Sequence, residues 1–277
     1  MTSGRPRSIW LAFAAVVVYV LLAAGLGNVL SGLVSDDQVL AQFALGHFIP
    51  LAIAIVGLLV LLRWAGWGQD VWREPPTPSL TPRRWWLISI PVFVVLLPIS
   101  QLGDVPWAAR PIGFILVIAA GTLMVGFGEE LLIRGVLLTA VRARHGELVA
   151  LLATSAVFAL AHIPGSVIAG APLGAIAFQV SFLAASGAAY YWVRRVTGRL
   201  WVAMIVHALT DWVLYLASGA GTPAASVPQS HSADSPNPFQ VTIQVLLLIA
   251  TTISIISVIR EDRRHKRDPA APRVERQ

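Results

Sequence analysis

Long apolar runs alternate with short polar connections along the whole of this 277-residue chain. A helix needs about 20 residues to cross a hydrocarbon core of roughly 30 Å. Most of the runs approach or exceed that length, although Pro91, Pro98 and Pro111 blur the ends of the third and fourth. The pattern predicts an all-α membrane protein, a polytopic bundle of about eight transmembrane helices. The runs are Ile9–Leu33, Leu40–Leu62, Trp85–Ile99, Ile112–Val125, Leu148–Ile163, Leu173–Trp192, Leu200–Leu216 and Phe239–Ile259.

Composition agrees with this pattern. Hydrophobic residues make up 56% of the chain and charged residues only 12%, about half the charge of an average soluble domain. Mean hydropathy is +0.73, the opposite of the low hydrophobicity that marks disordered chains. A soluble enzyme and a disordered protein are therefore both excluded. The chain has no cysteine, so neither a disulfide nor a thiolate metal site can form.

The position of the positive charges predicts the orientation. Arginines precede the first run, follow the last and occupy every second connection, while the other connections hold mainly aspartates. Since cytoplasmic loops collect Arg and Lys, both termini are expected in the cytoplasm. The net charge of +6 is then an orientation signal, and no nucleic-acid partner is needed. Residues 1–261 are predicted to form one transmembrane domain and residues 262–277 a charged, disordered cytoplasmic tail. Arg outnumbers Lys 19 to 1, which suggests a bacterial cytoplasmic membrane.

Ionisable residues inside a bilayer are costly and are candidates for function. Glu129, Glu130 and Arg134 follow the fourth apolar run. Glu130 and Arg134 are four residues apart, so they share one helix face and can form an ion pair. Glu129 lies about 140° away from Arg134 around an ideal helix and is left free for chemistry. The alternative is that all three form a solvated face at the membrane surface.

Two further helices carry histidines. His162 lies one turn after Phe158 and just before Ile163-Pro164-Gly165, which should end the helix. His207 and Asp211 are four residues apart, so the carboxylate can orient the imidazole. The alternatives are an interface role for His162 and interhelical hydrogen bonds for the pair. Glu with two His is also a zinc ligand set, and the same groups can serve as general base and oxyanion stabiliser without metal.

Taken together, Glu129-Glu130-x-x-x-Arg134, Phe158-x-x-x-His162 and His207-x-x-x-Asp211 resemble the three motifs of the CPBP family. This family of intramembrane proteases includes the type II CAAX prenyl endopeptidases and lysostaphin-resistance-A-like proteins. Order and spacing match over a family-like core of residues 84–217. The resemblance implies a membrane endopeptidase, a hydrolase with a polar site open toward the cytoplasm.

The resemblance also implies roles for the motif residues. Glu129 with His162 would activate water, His207 with Asp211 would stabilise the oxyanion, and Glu130, Arg134 and Phe158 would support the site. A metalloprotease with zinc on Glu129, His162 and His207 and a metal-free mechanism are both compatible with it. Eukaryotic CAAX members carry Asn where this chain has Asp211, and an ionised Asp cannot donate to an oxyanion. The implied partners are the lipid bilayer and a membrane-associated peptide or protein substrate, prenylated or not.

Two other classes of function use the same residues. Buried carboxylates relay protons in ion-coupled transporters, although the chain shows no internal repeat of the kind that many transporters have. A non-catalytic membrane scaffold or immunity protein would retain the motif for packing alone. One geometric expectation separates these ideas from the protease: Glu129, His162 and His207 should converge. Because the run Leu148–Ile163 is short, convergence requires the fifth helix to tilt or to begin before Leu148.

Overall fold

A computed structural model describes residues 6–35, 37–77, 82–218 and 237–267. Within these ranges the chain is helical, and eight helices are long and apolar enough to cross a membrane. The predicted fold class is thereby confirmed, while the cytoplasmic position of the termini stays a prediction. The eight helices, labelled in chain order, are α1 Ile9–Ser31, α2 Val39–Ala65, α3 Trp85–Asp104, α4 Ile112–Arg142, α5 Glu147–Ile168, α6 Leu173–Thr197, α7 Leu200–Ser218 and α8 Pro238–Arg267.

Helix α4 is the centre of the bundle. Its first part, Ile112–Glu130, is α-helical, and it continues as a π-helix over Leu131–Leu137 before a last α-helical turn, Leu138–Arg142. Every side chain of that second half is buried. The flanking helices surround it with apolar side chains, whereas many large hydrophobic residues on the outside of the bundle are exposed, as expected for a surface that faces lipid.

Helix α5 begins at Glu147, one residue before the predicted start, and its regular turns are interrupted at Ala161 and His162. Its α-helical turns end at Leu160, and a second short helix covers Ile163–Ile168. Pro164 has no N–H and cannot continue the hydrogen-bond ladder, so the chain starts a new helix there. The predicted helix end is therefore found where Pro164 requires it, and His162 lies at the junction.

Helix α8 is longer than the sequence indicates. The sequence predicts a disordered tail from residue 262, but the helix continues to Arg267. Glu261 binds Arg84 and Arg195, and Asp262 accepts hydrogen bonds from the first backbone N–H groups of α5. These contacts hold the last turns against the bundle. The remainder of the predicted tail, residues 268–277, lies outside the described residues.

An ion-pair cluster joins the helices at the arginine-rich end of the bundle. Its members are Glu74, Arg142, Glu147, Arg194, Arg195 and Glu261. Glu74 comes from the connection between α2 and α3, which docks on the α6–α7 turn. At that turn Gly198 has φ 68°, and a Cβ there would lie 2.3 Å from the Glu74 carbonyl oxygen. Only glycine suits this position, and the close approach carries Glu74 into the cluster.

The carboxylate of Glu74 is buried in this cluster between two arginines. Its carboxylate lies 2.7 Å from Arg142 and 3.2 Å from Arg194. Burial alone would raise the pKa of Glu74, but the nearby arginines outweigh burial, and the pKa lies below its ordinary value of 4.5. An acid whose pKa is lowered on folding stabilises the fold above its unfolded pKa, and the contribution is lost as pH falls through the folded pKa.

Glu74→Gln is therefore expected to lower the free energy of unfolding at pH 7 by about 3 kcal/mol, because it leaves the buried Arg194 without its ion-pair partner and removes one of the two partners of Arg142. The difference between wild type and variant should shrink as pH falls through the lowered pKa of Glu74, because the wild-type carboxyl then also becomes neutral. Thermal unfolding of both proteins across that pH range measures the difference. A difference that stays constant with pH would contradict this assignment.

Candidate active site

Three helices bring the predicted polar residues together in the core. Helix α4 contributes Glu129 and Glu130, the α5 junction contributes His162, and α7 contributes His207 and Asp211. Glu129 Oε2 lies 3.8 Å from His162 Nε2 and 3.9 Å from His207 Nε2. The convergence expected from the sequence is therefore present in the structure.

The converging groups differ in their access to solvent. The side chains of Glu129, His162 and Asp211 are 19%, 22% and 22% exposed, whereas that of His207 is 5% exposed. Glu129 and His162 are therefore partly exposed, although the Glu129 Oε2 atom itself is buried, and the His207 side chain is enclosed more completely. In an otherwise apolar bundle, this partly accessible polar cluster can carry chemistry.

Glu130 and Arg134 form a buried support beneath the site. Arg134 Nη1 donates to Glu130 Oε1 at 2.7 Å, and both side chains are 0% exposed. The predicted i, i+4 ion pair is therefore present, and the solvated-face alternative is wrong for these two residues. Arg134 Nη2 also donates to the Gly187 carbonyl oxygen at 2.9 Å. The guanidinium thus ties α4 to α6.

Glu130 holds His207 as well as Arg134. His207 Nδ1 donates to Glu130 Oε1 at 3.0 Å, while Asp211 Oδ2 lies 3.5 Å from the other ring nitrogen, Nε2. The sequence assigned ring orientation to Asp211. In the structure the carboxylate on Nδ1 is that of Glu130, and Asp211 lies on the side of the ring that faces Glu129.

The geometry of His162 fixes its tautomer. Its Nδ1 lies 2.8 Å from the Phe158 carbonyl oxygen, which can only accept, so Nδ1 carries the hydrogen. Nε2 of a neutral imidazole then has a free lone pair, and it is this atom that faces Glu129. The α5 junction makes the contact available, since His162 lies at the end of the Leu160 helix, where the chain turns.

A π-helical stretch begins directly after the two glutamates, at Leu131. π-Helical segments are rare and occur frequently at functional sites. The apolar pattern of Leu131–Leu137 does not predict this π-helix, and the angle between Glu129 and Arg134 therefore differs from that of an ideal helix with 3.6 residues per turn. The i, i+4 contact survives because the side chains of Glu130 and Arg134 meet across the start of the widened turn.

Aromatic rings enclose the histidines. Tyr190 stacks on His207 with ring centroids 4.6 Å apart and planes at 15°. The Phe158 ring lies edge-on to His162 and His207, at 5.1 Å and 5.7 Å, and beneath the Arg134 guanidinium. Phe158 thus contacts both histidines and Arg134, and its supporting role stays a prediction. Tyr190 was missed, because in the sequence it is one apolar position among many on α6.

Gly126 sets the distance between α4 and α7. A Cβ at this position would lie 2.5 Å from the Met204 carbonyl oxygen and 2.8 Å from the Ala208 backbone nitrogen. Neither backbone atom can move without moving α7. The close approach allows Glu130, one turn further along α4, to reach His207.

Gly126→Val is expected to separate the two helices and to reduce any activity of the site by at least about tenfold, since displacements of about 1 Å cost that much or more. Gly57→Ala is the matched control, because a Cβ at Gly57 meets nothing within 4 Å. Steady-state rates of both variants in detergent measure the effect. Equal activity of the two variants would show that the α4–α7 distance does not control the site.

The suggested zinc ligands are close together but do not form a metal site as placed. Among the described residues no group of three or more His, Cys, Asp or Glu side chains could hold a metal ion. Glu129 Oε2 is 3.8 Å and 3.9 Å from the two histidine nitrogens, wider than the roughly 3.3 Å between ligands of a tetrahedral zinc at about 2.0 Å. A zinc role for Glu129, His162 and His207 stays a prediction, and no step below depends on it.

Comparison with known proteins gives one match. Residues 111–213 match the family model described as type II CAAX prenyl endopeptidase Rce1-like. The matched segment contains all three motifs and lies inside the predicted core of residues 84–217. It confirms the family resemblance, and with the eight apolar helices it supports an integral multi-pass membrane protein. Neither the curated proteins nor the solved structures give a match.

Proposed function

We propose that this chain is an endopeptidase of the CPBP family, which its motifs and the match over residues 111–213 support. Its substrate is a membrane-associated peptide or protein, and the reaction is hydrolysis of one peptide bond. The observation that carries the proposal is the position of Glu129 Oε2, within 3.9 Å of the Nε2 atoms of His162 and His207. A carboxylate so placed can act as a general base on water.

The first step is activation of water by Glu129 and His162. The two atoms are too far apart for a direct hydrogen bond, but one water about 2.8 Å from each can contact both. His162 Nε2 accepts one hydrogen of this water, because Nδ1 already donates to the Phe158 carbonyl. Glu129 accepts the other hydrogen as the water oxygen bonds to the substrate carbonyl carbon. The carbonyl π electrons move to its oxygen, which becomes an oxyanion.

His207 is placed to stabilise that oxyanion. Since Nδ1 donates to Glu130, Nε2 donates only when the ring is an imidazolium. The two carboxylates beside the ring, Glu130 and Asp211, would balance its positive charge. In the second step the oxyanion re-forms the carbonyl, the C–N bond breaks and the leaving nitrogen takes the proton held by Glu129. Asp211 is thus a positioning residue, consistent with a carboxylate in place of the family's Asn.

The experiment that tests this function does not require the substrate to be known. Membranes are incubated with purified wild-type protein or with a Glu129→Gln variant, and new protein N-termini are identified by mass spectrometry. A synthetic peptide with a farnesylated cysteine near its C-terminus, and the same peptide unmodified, are tested in parallel. Termini that appear with wild type alone would support the proposal, and the peptide pair would show whether prenylation matters. Ion flux in proteoliposomes without any new terminus would instead favour a transporter.

A metal-free mechanism makes a further prediction about this activity. Because the Glu129, His162 and His207 side chains do not form a metal site as placed, cleavage is expected to survive treatment with a zinc chelator followed by its removal. Rates before and after treatment are compared, with addition of zinc as the final arm. Loss of activity that zinc restores would show that the three side chains move together to bind a metal.

A further inference from the structure

A cavity opens between the start of α3 and the end of α8, far along the chain from the active-site motifs. Its volume is about 320 Å³, within the range of small-ligand sites. The lining is divided by chemistry: one part is apolar and the other is basic. The apolar part consists of Trp86, Ile253 and Ile256, and the basic part of Arg84, Arg260 and Arg264.

The apolar and basic parts of the cavity follow from the order of residues along one face of α8. Ile253, Ile256, Arg260 and Arg264 succeed one another at intervals of three or four residues, so they lie on one helix face. Arg260 is 22 residues after the start of α8 at Pro238, about 33 Å along the helix at 1.5 Å per residue. A bilayer's hydrocarbon core is about 30 Å thick. If α8 crosses the bilayer near its normal, Arg260 lies at the level of the lipid headgroups and the isoleucines lie below it.

Among the described residues, no acidic side chain forms an ion pair with Arg260 or Arg264, the two arginines that α8 contributes to this cavity. Arg84 donates to Ser257 Oγ at 2.7 Å and to Glu261 at 2.8 Å. Glu261 also binds Arg195, and Asp262 caps α5. Both acids of this turn are therefore engaged elsewhere, and within the described part of the chain no ion pair forms to Arg260 or Arg264. The cavity thus carries uncompensated positive charge.

The apolar part of the cavity favours a phospholipid over a soluble phosphate as the anion that binds there. Trp86, Ile253 and Ile256 are 43%, 48% and 49% exposed, and they extend from the basic part toward the membrane interior. A soluble phosphate would use only the arginines. A phospholipid would place its phosphate beside them and an acyl chain against the isoleucines, with Trp86 at the interface, where tryptophan is enriched.

We propose that this cavity binds one anionic phospholipid, with its phosphate between Arg260 and Arg264 and an acyl chain along Ile253 and Ile256. Basic pockets between transmembrane helices at the cytoplasmic surface recognise anionic headgroups in this way. The predicted cytoplasmic position of this end of the bundle agrees with that source of lipid. Arg84 contributes charge but is held by Glu261 and Ser257, so it forms the fixed wall of the site.

The test measures lipid binding to the full chain in detergent by native mass spectrometry. Phosphatidylglycerol, phosphatidylcholine and inorganic phosphate are the probes. The double variant Arg260→Gln with Arg264→Gln removes two exposed positive charges. Loss of each charge is expected to weaken phosphatidylglycerol binding about fivefold, so the double variant should bind about 25-fold more weakly than wild type. Arg263→Gln with Lys266→Gln is the matched control, because it removes the same charge from the same turns of α8 without touching the cavity.

The expected result is tight binding of phosphatidylglycerol to wild type and to the control, and weak binding to the Arg260/Arg264 variant. Equal loss in the control pair would overturn the site in favour of diffuse surface charge. Equal binding of phosphatidylcholine, or displacement of the lipid by inorganic phosphate at similar concentrations, would overturn the choice of an anionic lipid. Deleting residues 268–277 is expected to leave binding unchanged, and a large gain would instead show that this segment occupies the cavity.

Discussion

Glu129→Gln is expected to abolish peptide cleavage, lowering kcat/KM by about 10³-fold or more, while leaving the bundle folded. An amide has nearly the same size as the carboxylate but cannot accept the proton of the attacking water. The change breaks no direct hydrogen bond to a histidine, because the His162 and His207 Nε2 atoms are 3.8 Å and 3.9 Å from the Glu129 carboxylate. The loss should therefore be confined to catalysis.

The matched control is Asp104→Asn, an acid-to-amide change at the last residue of α3. The Asp104 carboxylate accepts a hydrogen bond from the Gln240 side chain and lies outside the three motifs. Both variants are compared with wild type by cleavage rate and by thermal unfolding in the same detergent. The expectation is an unaltered melting temperature for Glu129→Gln with no cleavage, and full cleavage for the control. Full activity of Glu129→Gln would exclude Glu129 as the general base and, with it, the proposed mechanism.

Arg134→Met is expected to destabilise the fold by about 3–5 kcal/mol, the cost of leaving a buried charge without its partner. Glu130 would remain 0% exposed with only His207 beside it, and the Gly187 carbonyl would lose its donor. Methionine fills much of the volume, so a cavity is a minor part of this loss. The melting temperature and the denaturant midpoint of the purified protein measure it.

Two comparison variants separate charge from packing. Glu130→Gln combined with Arg134→Met removes both charges and should recover part of the stability, since replacing a whole buried pair costs less than breaking it. Arg63→Met, at an exposed position near the end of α2, should change stability little. If the double variant is less stable than Arg134→Met alone, the ion pair is not the source of the effect.

Local patterns in the sequence were sufficient for the helices and for the contacts within them. Apolar runs gave all eight spans, because lipid requires every backbone polar group to be paired within its own helix. The Glu130–Arg134 contact follows from i, i+4 spacing, and the α5 junction at His162 follows from Pro164. These features depend on residues a few positions apart along the chain, and the sequence gives their spacing directly.

Contacts between distant segments could not be read in the same way. Glu130 rather than Asp211 meets Nδ1 of His207 because Gly126 lets α4 and α7 pack closely, and no spacing within either helix reveals this. Tyr190 stacks on His207 from α6, 17 residues earlier in the chain. The polar residue types predicted that α4, α5 and α7 converge, and the family resemblance implied that they form an endopeptidase site. The orientation of each ring required three-dimensional packing.

The Glu130–Arg134 pair has a consequence for how the protein enters the membrane. A single arginine at the centre of an inserting helix costs roughly 2.5–3.5 kcal/mol on a biological insertion scale. Because both partners belong to α4 and are four residues apart, the pair can form within the nascent helix before α5, α6 and α7 have been synthesised. Helix α4 can thus leave the translocon with this charge already neutralised, and it need not wait for the helices that later enclose it.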